Sequence, residues 1–332
     1  MTIKDGKYVI NHMGKEFKTI HYHKLNQKQY DGLREIFWKK PDFEEVKKQM
    51  IKLKNGGVKN NLIHKYYFYD IACEGKLKTS KWSIKEFMDS NDLISFAIGK
   101  IKNNSEFYKS AKTLDRKLES VFRLSPSGTA AKLSNFPLKT ILEVLDKYNV
   151  NNNYYDYSCG WGVRLSGSMI KDVNYFGTDP NIKLHKKLEK FGKDFIEVTD
   201  SKSKIDIKCH GSEIYVPKWE NKIGLAFSSP PYFDLEDYKF GDQSVKNRNY
   251  EKWLKEYWEE TVKNIDKYLI KGGYFLLNIK SIKNYDLYND MKKIIENNGF
   301  EYIESLELKN INRIFLKQNN KHTNEEILVF KK

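Results

Sequence analysis

The sequence predicts an α/β fold: a mostly parallel sheet flanked by helices and closed by a C-terminal β-hairpin, preceded by a smaller α+β region. Three observations predict it. Beyond residue 150, short apolar runs alternate with helical stretches, as in successive βαβ units. Two of those runs end in turn chemistry, glycines after one and consecutive prolines after the other, as strands do at the carboxyl edge of an open sheet. Before residue 125 the pattern changes to a hairpin-like start, aromatic clusters and dense lysine.

Residues 7–23 alternate apolar and polar side chains around Gly14, which predicts a hairpin from Tyr8-Val9-Ile10 to Phe17–Tyr22. Residues 27–54 have helical character, broken near Pro41 and ended by Gly56-Gly57. An aromatic-rich stretch, Leu62 to Cys73, and Lys76, Lys78 and Lys81 precede two short helical patterns. The first starts at Ser83, with Glu86 placed for a capping box. The second, about Asp92 to Ile101, sets Leu93, Phe96, Ala97 and Ile101 on one face. Such a pair beside lysines is compatible with a helix-turn-helix, though plain packing is its commoner use.

Ser125-Pro126-Ser127-Gly128 reads as a turn, and Phe136-Pro137 precedes an amphipathic helix, Leu138 to Tyr148. Strands are expected at 154–158, 173–178, 204–209, 223–228 and 272–279, with helices near 164–171, 181–192, 249–269 and 285–298. β-like segments at 301–308, 312–317 and 326–330 complete the pattern.

Composition narrows the class. The 332 residues suffice for one large domain and a smaller one. Cys73, Cys159 and Cys209 make no CxxC pair, which points to a reducing compartment and no structural zinc, and His21, His23 and His64 lack metal-ligand spacing. With no signal peptide and no apolar run near 18 residues, a soluble, cytoplasmic protein without a membrane partner is expected. The net charge of +15 is uneven: residues 1–150 hold 29 Lys+Arg against 17 Asp+Glu, residues 151–332 hold 30 against 27. Lysine supplies 53 of the 59 basic residues, as AT-rich coding produces, but that bias does not account for the asymmetry. A polyanion-binding N-terminal segment is the expectation, with DNA as the partner.

Three motifs carry chemistry. Asp156-Tyr157-Ser158-Cys159-Gly160-Trp161-Gly162 follows the first strand, where glycines permit positive φ and close approach of a ligand to the backbone. Nineteen residues after Gly160, the strand Tyr175-Phe176-Gly177-Thr178 ends at Asp179-Pro180, the spacing of an acid that binds ribose hydroxyls. A full GxGxxG is missing, so a cofactor without a pyrophosphate is favoured. The third motif is Ser229-Pro230-Pro231-Tyr232 at the end of the strand Ile223–Ser228.

Together these resemble the motifs of S-adenosylmethionine (SAM)-dependent DNA amino-methyltransferases, and the strand pattern resembles the class I SAM-methyltransferase (Rossmann-like) fold. The resemblance covers residues 125–332, and Cys159 to Leu165 is similar to a Cys-Gly-Trp-Gly-x-Arg-Leu variant of phage and other prokaryotic members. It implies that Asp156, Ser158, Cys159, Gly160, Trp161 and Gly162 hold the methionine part of SAM, and that Asp179, with Pro180, takes the ribose. Phe136 and Pro137 would close over the cofactor, and Gly211 and Ser212 would contact adenine. Val163 stands where the family usually has a second glycine.

An exocyclic amino group is a poor nucleophile because its lone pair is delocalised into the ring. Acceptors that take its N–H protons free that pair for in-line attack. The Ser229 hydroxyl and Pro230 carbonyl suit that task, Pro231 fixes the turn, and Tyr232 offers a face for stacking a flipped-out base. Serine at this position is commoner among cytosine-N4 than adenine-N6 members, so cytosine N4 is slightly favoured. Phe233, Glu236 and Tyr238 are candidate base-pocket contacts. No cysteine follows a proline, which excludes covalent cytosine-C5 chemistry. Nothing resembles a P-loop, a kinase set or a nuclease metal cluster, so any cognate restriction endonuclease would be a separate partner.

Only about 66 residues separate Gly162 from Ser229, too few for a target-recognition domain. The expected division is therefore a basic recognition region, 1–125, and a catalytic domain, 126–332. The alternatives are RNA or protein-glutamine methylation by the same fold, and a non-catalytic DNA-binding module.

Overall fold

The computed structural model describes residues 1–77, 80–106, 109, 111–124, 135–233, 236–238, 249–280, 285–307 and 325–332. The turn expected at Ser125–Gly128, Lys78 and the β-like segment 312–317 lie outside them. The chain folds as two compact units. One comprises Met1–Asp42, Tyr69–Ser134 and Leu235–Lys239, and the other Phe43–Phe68, Asn135–Asp234 and Phe240–Lys332. The boundary thus does not follow residue 125: residues 43–68 belong with the sheet.

In the first unit, Thr2–Lys4, Lys7–His12 and Lys15–Thr19 form an antiparallel sheet. The Met13-Gly14 turn of the expected hairpin has both residues at positive φ, +50° and +72°, matching the right-handed strand twist. The core gathers Ile10, Phe17, Phe37, Trp82, Phe87 and Phe96. Ser83 and Glu86 make the expected capping box on helix Ile84–Met88. The next helix, Asn91–Asn103, does not serve as a recognition helix. Every residue from Leu93 to Gly99 is buried, and a Cβ on Gly99 would strike the Tyr22 backbone at 2.6–2.9 Å. A helix enclosed on all sides has no face to lay in a groove.

We number the elements of the sheet-bearing unit: α1 Phe43–Lys54, α2 Asn61–Tyr67, α3 Leu138–Tyr148, β1 Asn153–Asp156, α4 Val163–Ile170, β2 Asn174–Thr178, α5 Ile182–Thr199, β3 Ile205–Lys208 and β4 Ile223–Ser228. Then come α6 Tyr250–Trp253 and α7 Glu260–Tyr268, joined by a π-helical stretch Leu254–Glu259, β5 Leu269–Lys280, α8 Leu287–Asn297, β6 Glu301–Glu307 and β7 Glu325–Lys331. The sheet order is β6-β7-β5-β4-β1-β2-β3, with only β7 antiparallel to its neighbours. This is the expected α/β class, and the order reverses between β1 and β4. At such a switch point two strands end side by side with crossovers leaving in opposite directions, which opens a crevice beyond their carboxyl ends.

Burial follows position. The central strand β4, Ile-Gly-Leu-Ala-Phe-Ser, is buried at all six residues, as a parallel strand covered on both faces must be. α1 and α2 pack on this unit: Tyr67 and Phe68 lie against Phe191 of α5, and the Tyr67 hydroxyl donates to Asp194 at 2.6 Å. Lys54 donates to the Met169 and Ile170 carbonyls at 3.1 and 3.2 Å and pairs with Asp172 at 2.7 Å, a cation at the carbonyl end of α4. Among the described residues no helix is long and apolar enough to cross a membrane.

Candidate active site at the sheet edge

β1 delivers Asp156 to the sheet edge, and the chain then turns through Ser158–Gly162 into α4. Gly160 and Gly162 take φ of +54° and +73°, where a side chain is strained. Over Gly160 a Cβ would make only ordinary contacts, at 3.5 Å to the Arg164 guanidinium and 3.7 Å to the Ser158 carbonyl. Gly162 differs, since a Cβ would meet the Phe68 ring at 2.7 Å. Gly162→Ala should therefore combine positive-φ strain with overpacking, destabilising by about 2–4 kcal/mol in urea melts. Val163 has no positive φ and is the buried first residue of α4, so the usual glycine is not required there.

Asp156 is fully buried, and both its oxygens are taken. Oδ1 accepts from the Ser158 N–H at 3.3 Å and the Ser228 hydroxyl at 2.8 Å. Oδ2 accepts from Arg164 Nε at 2.9 Å and the Tyr175 hydroxyl at 2.8 Å. All four of these bonds are internal, from the turn, α4, β2 and β4. Arg164 carries the network further, donating to the Ser158 carbonyl and to Ser228 Oγ at 3.1 Å. Burial opposes its charge, but Asp156 overcomes that and holds the guanidinium protonated. The buried ion pair ties the glycine turn to the last residue of β4. The signal for this role in the sequence is an arginine in the otherwise apolar and small-residue helix Val163–Ile170.

Phe136 lies edge-on to Phe227 of β4 at 5.5 Å and under the Arg164 guanidinium at 5.5 Å, while Pro137 is exposed at the start of α3. Cys159 is buried, its thiol pushed up by burial, and a Cβ on Gly177 would lie 2.6 Å from its sulfur. Only the backbone of Cys159 can serve a ligand. Trp161 is half-buried at the turn.

Asp179 stands at the end of β2 as expected, 9% exposed. It accepts from the Asn181 N–H at 3.0 Å and from the Gly160 N–H, joining the two motifs. Burial, above all, pushes it up to about 6. Hydroxyl donors bind best to the ionised form, so affinity for a ribose-bearing cofactor should fall about tenfold from pH 7 to pH 5. Calorimetric SAM titrations should show this fall in the wild type and a flat, weaker profile in Asp179→Asn. Above pH 6 the empty site carries the ionised carboxylate at a cost, which is relieved as pH falls towards 4.

Beyond β3, Gly211 and Ser212 have internal roles. A Cβ on Gly211 would overlap the Glu213 carboxylate. Buried Ser212 bonds Thr261 of α7 at 2.7 Å, and its carbonyl accepts from Asn264 at 3.0 Å.

At the end of β4, Ser229 and Tyr232 are half-buried and Pro230 is buried. Ser229 Oγ and the Tyr232 hydroxyl lie 3.1 Å apart, and Asn278 of β5 reaches both, donating to Ser229 Oγ at 3.0 Å. Phe233 follows at φ +48°, a strained conformation for an aromatic residue. It is 2% exposed among Tyr250, Trp253 and Tyr285 at 5.0–5.7 Å. Packed in this way, it anchors the turn. The backbone of Glu236 pairs with Leu77 and that of Asp237 with Lys76, both in the first unit, where Tyr238 follows half-buried. Asp234 and Phe240 lie outside the described residues, and among the described ones no cluster of His, Cys, Asp and Glu could hold a metal ion.

The fold is the Rossmann-like one of class I SAM-dependent methyltransferases, on the strand order itself. No protein-family model and no curated protein matches the chain. Among solved structures, the chain is similar to a TehB-like SAM-dependent methyltransferase from Corynebacterium glutamicum, at 14% identity and TM-score 0.39, covering 70% of this chain and 100% of that one. It is also similar to the N-methyltransferase NodS from Bradyrhizobium japonicum, at 11% and 0.38, covering 58% and 93%. A third is the (4+2)-cyclase SpnF, at 12% and 0.42, covering 59% and 80%. Likenesses of this size carry no argument about activity.

Proposed function

We propose that the chain is a SAM-dependent methyltransferase acting on an exocyclic amino group of a DNA base, cytosine N4 ahead of adenine N6. The observation that carries this reading is the convergence of Ser229-Pro230-Pro231-Tyr232, the Gly160–Gly162 turn and Asp179 at one sheet edge, with Asp156 and Arg164 tying the first two together. The residues fit SAM: the Gly160 backbone, at φ +54° and without a side chain, suits close approach of its methionine part, and the buried Asp179 carboxylate suits two ribose hydroxyls. When bound, SAM supplies an electrophilic methyl group.

The chain's own residues prepare the acceptor. Ser229 Oγ and the Pro230 carbonyl take N–H protons and localise the nitrogen lone pair. Tyr232 offers its ring face to the base. Because Ser229 is neutral, the turn itself contains no general base, and the released proton leaves to solvent. Recognition of DNA is assigned to the first unit, with 22 basic against 15 acidic side chains in 113 residues, compared with 37 against 29 in the other 219. The charge excess is denser there, although less one-sided than a cut at residue 150 suggests.

The test is transfer of labelled methyl groups from SAM to duplex DNA, with Ser229→Ala as control and nucleoside mass spectrometry to separate N4 from N6. Undiminished activity in Ser229→Ala, or no label in any DNA, would overturn the reading. Label in RNA or on protein glutamine would move the substrate class. SAM-independent DNA binding would leave a non-catalytic module.

A further inference from the structure

Asn278 interrupts the apolar run of β5, Phe275-Leu276-Leu277-Asn278-Ile279, and is fully buried. A buried amide costs a few kcal/mol unless its groups are hydrogen-bonded, so such a position demands a reason. Its Nδ2 lies 2.8 Å from Glu325 Oε1 of β7, 3.0 Å from Ser229 Oγ and 3.4 Å from the Tyr232 hydroxyl, whereas Oδ1 has no partner among the described residues. Its backbone carbonyl accepts from the Tyr232 hydroxyl at 3.3 Å.

A carboxylate only accepts, so Glu325 requires the amide to turn Nδ2 towards it. The same nitrogen then donates its second proton to Ser229 Oγ. Across the 3.1 Å between Ser229 and Tyr232 either hydroxyl can donate. When Tyr232 gives its proton to the Asn278 carbonyl, Ser229 donates to Tyr232 and keeps one lone pair and no proton for a ligand.

We infer that Asn278, oriented by Glu325, is a positioning residue: its Nδ2 on Ser229 and its carbonyl on the Tyr232 proton favour the arrangement in which Ser229 meets a ligand as an acceptor. The turn thereby selects substrates presenting an N–H donor and discriminates against carbonyl or other acceptor-only groups. This rests on the methyl-transfer reading above and adds to it a determinant on β5 and β7.

Four variants test it. Asn278→Leu removes the donor, Glu325→Gln keeps an acceptor for Nδ2, and Glu325→Lys reverses the polarity by attracting Oδ1. The fourth, Ser229→Ala, enters a stability cycle. With saturating SAM, Asn278→Leu and Glu325→Lys should lower kcat on DNA 30-fold or more with SAM Kd changed less than threefold. Glu325→Gln should stay within threefold of wild type. Equal loss in Glu325→Gln and Glu325→Lys, or loss of SAM binding in step with kcat, would indicate a merely structural role and overturn the inference. If the wild type methylates nothing, the functional reading fails and the bond order is decided by unfolding alone. Asn278→Leu and Ser229→Ala should then be coupled at least fivefold in the unfolding constant, and additive effects would refute it.

Discussion

Arg164→Met should lower stability by about 3–5 kcal/mol, the range for stripping one partner from a buried ion pair. Its removal would leave the Asp156 carboxylate, with no exposure to water, short of its only cationic partner among the described residues. The Ser158 carbonyl and Ser228 hydroxyl would lose a donor at the same time. A loss of this size is a large fraction of the roughly 5–15 kcal/mol by which domains are stable. Urea unfolding measures it, and a change below about 1 kcal/mol would show that the network contributes little. Arg164→Lys keeps the charge but not the fork of donors, so an intermediate loss is expected. Because the pair holds the glycine turn to β4, SAM affinity should fall in both variants even where they remain folded.

On the proposed DNA substrate, Tyr232→Ala should reduce kcat/KM by about 5- to 150-fold, corresponding to the roughly 1–3 kcal/mol of a base–aromatic stack. SAM affinity should be little changed, since Tyr232 follows the turn on β4 while the glycine turn and Asp179 follow β1 and β2. Tyr232→Phe separates ring from hydroxyl: it keeps the stacking face but removes the hydroxyl 3.1 Å from Ser229 Oγ. A several-fold loss is expected, well short of alanine. Steady-state kinetics at saturating SAM decides, and equal losses in the two variants would place the hydroxyl rather than the ring at the centre of the effect.

Much of the sheet was legible because its signals are local. The apolar run 223–228 became β4, Leu138–Tyr148 became α3 at the expected residues, and Ser83 with Glu86 capped a helix. What escaped depends on contacts distant in sequence. Nothing near Gly162 announces that Phe68, ninety-four residues earlier, covers it. Asp156 carries a motif position but is consumed by Arg164, Tyr175 and Ser228, three partners from three elements. Phe233 looked like a pocket residue by its place after the prolines, yet its positive φ turns it into the core. Asn278 left a signal that went unread, a lone amide in an apolar strand.

The division of the chain has a practical consequence. Successive segments alternate between the two units, so the backbone passes from one to the other at residues 42/43, 68/69, 134/135, 234/235 and 239/240. The units are laced together, not strung end to end. An exchange of residues 1–125 between enzymes, meant to transplant recognition as a cassette, would also carry away α1, α2, the Lys54 contacts below α4 and the Phe68 ring over Gly162. Under the proposed function, altering specificity calls for surface substitutions within an intact chain.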